Sequence, residues 1–410
     1  MRRLKKTLWT KNFTLVTAAS ALGAVGGIAG GFALSFLVFD ETGSTLASAL
    51  ILAIQLVPFF VLPLFLAPIM DRLPRKPFLV AGDLIDGVLY ALMGLYLLKF
   101  EFSYAAYLGY SLLLACLESF DELAFQSIYP KIIPEGMEQQ GYAVSTTLYP
   151  ILRVLMLPLA GVLLDAVGAA WILIGQGGLS LLAALIESNI NITEHRRESG
   201  DKLFTLRQWR ADIKEAAEYL KNERGVTGIF SYMAVTNGVA SGYSSILVAF
   251  FRTFPGFTAA MYSLFSVFEF AGRTLGGAVQ YKLRLAKEKK FGFTFMVYQI
   301  YELMDMCLLW LPYPLMLANR AMVGFLGANS ATMRQAAMQS YIPENLRARL
   351  NAFQNMLITA ASGVFTLAIG ALGEVLDYRL CVTICGATAF IAAWLLVWRR
   401  RADVRKIFEK

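Results

Sequence analysis

Charged side chains are scarce in this chain: Lys, Arg, Asp and Glu make up 16% of its 410 residues and hydrophobic residues 57%, and the mean hydropathy is +0.56. A soluble domain of this size cannot hide so much apolar surface, so a globular aqueous fold is excluded. Histidine is almost missing. The single residue, His195, stands in a polar segment with no second ligand or triad partner, which argues against a His-based metal centre and against nucleophilic catalysis. Cysteine is limited to Cys116, Cys307, Cys381 and Cys385. All lie in apolar runs without metal-ligand spacing, so all four are expected as buried packing residues and no metal site is implied. No glycine-rich loop ends in Lys-Ser or Lys-Thr to cradle phosphates, so nucleotide hydrolysis is excluded, no cofactor is implied and no enzyme is expected.

What the chain has in abundance is apolar runs of about 20 residues, long enough to cross about 30 Å of hydrocarbon as helices. Twelve such helices are expected, at 13–39, 46–70, 77–98, 104–128, 142–164 and 169–186 in the first half and 226–251, 258–279, 291–311, 314–338, 350–371 and 381–398 in the second. Between the second and third runs lies Asp71-Arg72-Leu73-Pro74-Arg75-Lys76. Charges of that density are too costly at a bilayer centre and belong in a short surface turn. Lys and Arg crowd this turn, the N-terminus at Arg2, Arg3, Lys5 and Lys6, the central segment, 282–290, Arg347 and Arg349, and 399–401; connections 40–45, 165–168 and 311–314 have none. The positive-inside rule then puts both termini in the cytoplasm. The net charge of +8 is thus a topology signal. No nucleic-acid partner is expected, because no basic face extends over a folded soluble domain.

The basic, then apolar, N-terminus could pass for a secretory signal, but eleven similar segments follow, so it is expected to be the first helix. Residues 191–225 are polar. Within them Leu206, Trp209, Ile213, Ala217 and Leu220 share one helical face, the pattern of an amphipathic cytoplasmic linker. It separates an N-terminal six-helix bundle, 1–190, from a C-terminal one, 226–410. The sequon at Asn191 falls on the cytoplasmic side and is expected to be accidental. Gln126 to Glu135 (QSIYPKIIPE) echoes Gln335 to Glu344 (QAAMQSYIPE) at an offset of 209, and the register persists from Ala143 to Ala352, Gly161 to Gly370 and Asp165 to Glu374. One offset held across helix, loop and helix indicates six helices duplicated.

The Asp71-Arg72-x-x-Arg75-Lys76 turn resembles the loop between helices 2 and 3 of the major facilitator superfamily. FLVFDETGS at 36–44, LVPFF at 56–60, DRLPRKPFLVAGD at 71–83, Pro130-x-x-x-Pro134-Glu135 and Arg347-Ala-Arg349-Leu-Asn-Ala352 are similar to its macrolide and siderophore exporter branch, and the resemblance covers nearly the whole chain. Two departures stand out: the usual glycines of the 2–3 loop are Ala67 and Pro74, and a Gly-Pro pair in helix 5 is replaced by Leu157-Pro158. The resemblance implies an all-α membrane protein of two six-helix bundles in a bacterial cytoplasmic membrane. It further implies a monomer that exchanges amphipathic small molecules for protons by alternating access. A nutrient or lipid facilitator or importer and a non-transporting membrane receptor on the same scaffold remain open.

Ionisable groups at membrane depth are the default functional candidates. Glu118, Asp121 and Glu122 in the fourth helix lie at i, i+3 and i+4 and can share one face. Crowded carboxylates repel, and sharing a proton relieves them, which is what proton coupling requires. The resemblance adds that this helix lines the central cavity. Arg153 in the fifth helix is the expected counter-charge, and Glu269 and Arg273 form an i,i+4 pair in the eighth. These six are expected to bind protons or substrate. Asp71, Arg72, Arg75, Lys76, Asp83 and Arg334 are expected to form a conformational gate. Asp86, Glu302 and Asp305 fall on the third and ninth helices, which the resemblance makes peripheral, and rank lower. Gly23, Gly26, Gly27, Gly30 and Gly31 in the first helix are expected to serve close packing.

Overall fold

In hydrocarbon only a helix or a closed barrel satisfies its own backbone, and every regular element in the computed structural model is helical. It describes residues 7–70, 76–192, 214–215, 217–282 and 286–409; Asp71, Arg72, Arg75, His195 and most of the expected linker helix lie outside them. In chain order the elements are α1 (Lys11–Thr42), α2 (Thr45–Met70), α3 (Lys76–Lys99), α4 (Tyr104–Ile132), α5 (Glu138–Val167), α6 (Ala169–Ser188), α7 (Arg224–Thr253), α8 (Ala259–Lys282), α9 (Lys287–Cys307), α10 (Tyr313–Tyr341), α11 (Glu344–Gly373) and α12 (Tyr378–Ala392). A π-helical turn at Ala393–Trp398 continues α12, and α13 (Arg401–Glu409) ends the chain. Of the expected linker helix, residues 214, 215 and 217–220 are described and helical, with Leu220 buried.

Seven helices, α1, α3, α5, α6, α7, α11 and α12, have described stretches long and apolar enough to cross a membrane. Their outer faces carry large aliphatic residues that water would not tolerate: Leu155 is 65% exposed, Leu185 64% and Val364 67%. A lipid coat is the physical answer, and the chain is a multi-pass membrane protein. α13 was not expected from the sequence. Val404, Ile407 and Phe408 anchor it in one core with Val226, Ile229 and Phe291, while its charges face outward. The cysteine expectation needs correcting: Cys381 and Cys385 are buried, Cys116 is half-buried, and Cys307 is exposed, because it is the last residue of α9, where the chain turns.

Contacts divide the chain into two units, one of Met1–Thr42, Ile54–Leu203 and Thr258–Ser263, the other of Gly43–Ala53, Phe204–Phe257 and Leu264–Lys410. In the first, α6 packs against both α1 and α3, and α1 also meets α5. In the second, α7 packs along α11 and α12, and α9 lies against α12 and α10.

The 209 offset reappears in the helix boundaries: α4 starts and stops at Tyr104 and Ile132, α10 at Tyr313 and Tyr341. Ile133 and Ile342, which follow, are both extended, with φ/ψ of −72/127° and −68/130°, as the residue before a proline must be. The repeated Gly161 lies against the Ala259 and Ala260 backbone at the start of α8, and Gly370 lies against Thr45 and Ala49 at the start of α2. One turn on, Asp165 accepts from the Ala260 N–H at 3.3 Å, and Glu374 accepts from the Leu46 N–H at 2.8 Å. Each glycine lets a helix start approach, and each acid meets the positive end of that helix dipole.

The Leu46 N–H, helped by the Ser44 and Thr45 hydroxyls, holds the Glu374 carboxyl below its ordinary value. A group lowered in the folded state adds stability above its unfolded value, about 4.3, and that contribution disappears as pH falls through the folded value. The unfolding midpoint of Glu374→Gln in detergent should therefore lie below that of the native protein at neutral pH and meet it in acid. Curves that run parallel across the whole range would remove the clasp from the account.

Candidate functional site

In the first unit, α3, α4 and α6 bring five carboxylates together. Asp83, Asp86 and Tyr90 rise along α3 at i, i+3 and i+7, which puts them on one helix face. Gly82 makes room for α4: a side chain there would meet the carboxylate of Asp121. Asp121 in turn lies within electrostatic range of Asp86, Asp83 and Glu118. The Tyr90 hydroxyl donates to Glu118 Oε1 at 3.5 Å. Glu187, near the end of α6, interacts with Asp83 and Asp121, while Gln176, earlier on the same helix, lies beside the Tyr90 hydroxyl. Gly26 and Gly30 of α1 are the glycines that let this glutamine fit; Gly23, Gly27 and Gly31 face open space.

Three acceptors in this column have no hydrogen-bond donor among the described residues: Asp86 Oδ1, Gln176 Oε1 and Glu187 Oε2. The three residues are 9%, 5% and 3% exposed. A buried acceptor without a donor costs about 1–3 kcal/mol, so a donor at these atoms would be stabilising. No group of three acids has the spacing to hold a metal ion among the described residues.

The second unit buries a different set. Asp305 of α9 forms an ion pair with Arg320 of α10. Arg320 is 2% exposed; its Nη2 also donates to Asn319 Oδ1 at 2.9 Å and its Nη1 to the Tyr243 hydroxyl at 3.5 Å. Glu302, one turn before Asp305, accepts from the Tyr232 hydroxyl at 3.3 Å. A small pocket between α7, α9 and α12 opens beside it.

The sequence candidates scatter. Glu118, exposed but bonded to Tyr90, and half-buried Asp121 join the column; Glu122 does not, because its carboxylate accepts from the side chain of Gln126 on its own helix. Arg153 on α5 is exposed and makes no ion pair with an acid of α3 or α4 among the described residues. Glu269 and Arg273 pair on α8, with Arg273 Nε 3.0 Å and Nη2 2.6 Å from Glu269 Oε1. Among the gate residues, Lys76 donates from Nζ to the Ser188 carbonyl at 2.7 Å, and Arg334 donates to the Tyr298 hydroxyl at 3.2 Å. Asp83 lies among the carboxylates.

Asp86, Gln176, Glu187, Glu302, Arg320 and Tyr232 complete the two sets; the sequence ranks Asp86 and Glu302 low and does not single out Gln176, Glu187, Arg320 or Tyr232. A signal was present. The third helix of each half carries two acids three residues apart, Asp83/Asp86 and Glu302/Asp305, and the analogy that made those helices peripheral hid it. Arg320 and Gln176 offered no such pattern: Arg320 has no acid near it in sequence, and Gln176 carries no charge.

Solved structures resemble this chain over nearly its whole length. A bacterial homolog of the human lysosomal transporter Spinster, inward-facing, matches with a TM-score of 0.65 at 13% identity, covering 97% of this chain and 96% of that one. The nucleoside transporter NupG gives 0.70 at 11% over 94% and 99%, and a peptide transporter POT in complex with alafosfalin gives 0.71 at 11% over 99% and 98%. At such identities the likeness is one of fold. No curated protein matches the sequence significantly. The family model of the Major Facilitator Superfamily matches residues 13–300 and 300–409, and by that match the chain belongs to this superfamily of membrane transporters.

Proposed function

We propose that this chain is a secondary active transporter of the exporter branch, which moves amphipathic, cationic small molecules out of a bacterial cytoplasm in exchange for protons. In this reading twelve helices span the membrane as two six-helix bundles, 1–190 and 226–410. A cytoplasmic linker at 191–225 joins them, and both termini are cytoplasmic. The protein works as a monomer.

The acid column of α3, α4 and α6 carries the proposal. Five carboxylates sit together, and none forms an ion pair with Lys or Arg among the described residues. In a bilayer such a group persists only if a mobile cation neutralises it. Proton and cationic substrate then compete for the same negative charge, and that competition is the coupling. Asp86 and Asp121 are the acids deepest in the mutual field, Glu118 is the edge open to an incoming ligand, and Glu187 extends the column toward the end of α6. Glu269, Arg273 and Arg153 supply further charge for orienting substrate, and the 71–76 turn, Asp83 and Arg334 act as the gate.

Efflux of a lipophilic cationic dye into everted vesicles, driven by an imposed proton gradient, tests this. Glu118→Gln, Asp121→Asn and Asp86→Asn should each reduce gradient-driven flux at least tenfold with membrane insertion unchanged, while Glu122→Gln, outside the column, should retain it. Unimpaired flux in the three column variants would remove the mechanism. Dye flux that follows the proton gradient inward would make the protein an importer instead.

A further inference from the structure

α9 presents two acids to the interior of the second unit, and only one of them is neutralised. Asp305 has Arg320, whose guanidinium is committed to it, to Asn319 and to Tyr243. Glu302 is 3% exposed, and among the described residues its hydrogen-bond partner is a phenol, that of Tyr232. The groups that face it are Tyr232 and Tyr243 from α7, Tyr301 and Asp305 from α9, and Cys385 from α12. From α10, Arg320 is turned to Asp305, and Arg334 is turned to Tyr298, whose ring lies 4.6 Å from that of Tyr232. No cation of the described residues forms an ion pair with Glu302. Arg320 Nε remains buried without an acceptor.

The pocket beside Glu302 is lined by Thr236, Tyr243, Tyr301, Asp305, Cys385 and Gly386 among others, and has room for about one water molecule. Gly386 lets α12 lie close to α9 here: a side chain there would meet the Glu302 backbone carbonyl at 3.0 Å and Met306. A lone buried carboxylate is far costlier than a buried carboxylic acid. With Asp305 already served by Arg320, no second guanidinium reaches it.

We propose that Glu302, with Tyr232 and the adjoining pocket, is a proton-binding site of the C-terminal half, separate from the acids of α3, α4 and α6. Its ligand is a proton delivered by a pocket water. A hydronium O–H bond breaks, an O–H bond forms on the carboxyl oxygen of Glu302 that Tyr232 does not hold, and neutral water is left in the pocket. Tyr232 is a positioning residue: its hydroxyl fixes Oε1 and so leaves the other oxygen to take the proton. The site stands whether or not the acid column couples transport, because it shares no residue with that column.

Infrared difference spectroscopy of the full-length protein in lipid at neutral pH reads it directly. Native minus Glu302→Gln spectra should show one carboxylic-acid C=O band, which shifts in D2O and is the same in sodium and in choline salts. Absence of that band, or its loss in sodium alone, overturns the proposal, the latter by making the ligand a metal cation. If Glu302→Gln does not fold, Tyr232→Phe decides. Losing the hydroxyl that holds Oε1 should move the band to higher frequency, and a band that stays put overturns the assignment.

Discussion

Arg320→Met should lower the stability of the protein by about 3–5 kcal/mol, the usual result of removing one partner of a buried ion pair. The size follows from what is left behind. Asp305 is 8% exposed and Arg320 2%, so bulk water does not take the place of the guanidinium, and Asn319 Oδ1 loses a donor as well. The double variant Arg320→Met, Asp305→Leu removes both charges and should recover most of the loss, since apolar residues of similar volume often replace a buried pair without penalty. Unfolding midpoints in detergent for the two single variants and the double variant give the coupling directly. Additive losses would mean that the pair is not the unit that holds α9 to α10. By contrast, Arg273→Met breaks a pair whose arginine side chain is 58% exposed, and an effect below about 1 kcal/mol is expected there.

The architecture could be read from the sequence because its cause is one-dimensional. Apolar run length sets a spanning helix, and the Ile-Pro-Glu segments fix the ends of α4 and α10 through the extended residue that a proline demands. The partnership of charges is not one-dimensional. Glu118, Asp121 and Glu122 are close enough in sequence to share a face, yet Asp121 lies at Gly82 and Glu118 at the Tyr90 hydroxyl of α3, while Glu122 pairs with Gln126 of its own helix, since a helix face about 100° wide does not hold all three equally. Gln176 is uncharged and gives no signal in hydropathy; only the missing side chains of Gly26 and Gly30 reveal that something polar is inserted against α1. Asp165 and Glu374 could be seen as a repeated pair but not as caps, because the helix starts they hold lie 95 and 328 residues away.

Gly272→Ala should destabilise the protein more than Gly30→Ala, although an added Cβ is equally crowded at both. At Gly272 of α8 the nearest atom would be the Ala321 carbonyl oxygen of α10, 1.8 Å away, with the Ala321 carbonyl carbon at 2.7 Å. Four residues on, Gly276 meets the Phe325 carbonyl at 2.4 Å, and from the other side Gly324 meets the Glu269 carbonyl at 2.0 Å. This is a small-xxx-small seam, in which backbone lies on backbone and no rotamer can yield. The two helices would have to separate, carrying the Glu269–Arg273 turn with them, at about 1–3 kcal/mol or more. At Gly30 the obstacle is Gln176 Oε1 at 1.5 Å, the far end of a flexible side chain that can swing aside. Gly30→Ala should therefore cost little in unfolding midpoint. Its effect should fall instead on the acid column, because a displaced amide no longer lies beside the Tyr90 hydroxyl that donates to Glu118. Midpoints that fall equally for the two variants would mean that the first and eighth helices tolerate crowding alike, and that the seam has no special part in the fold.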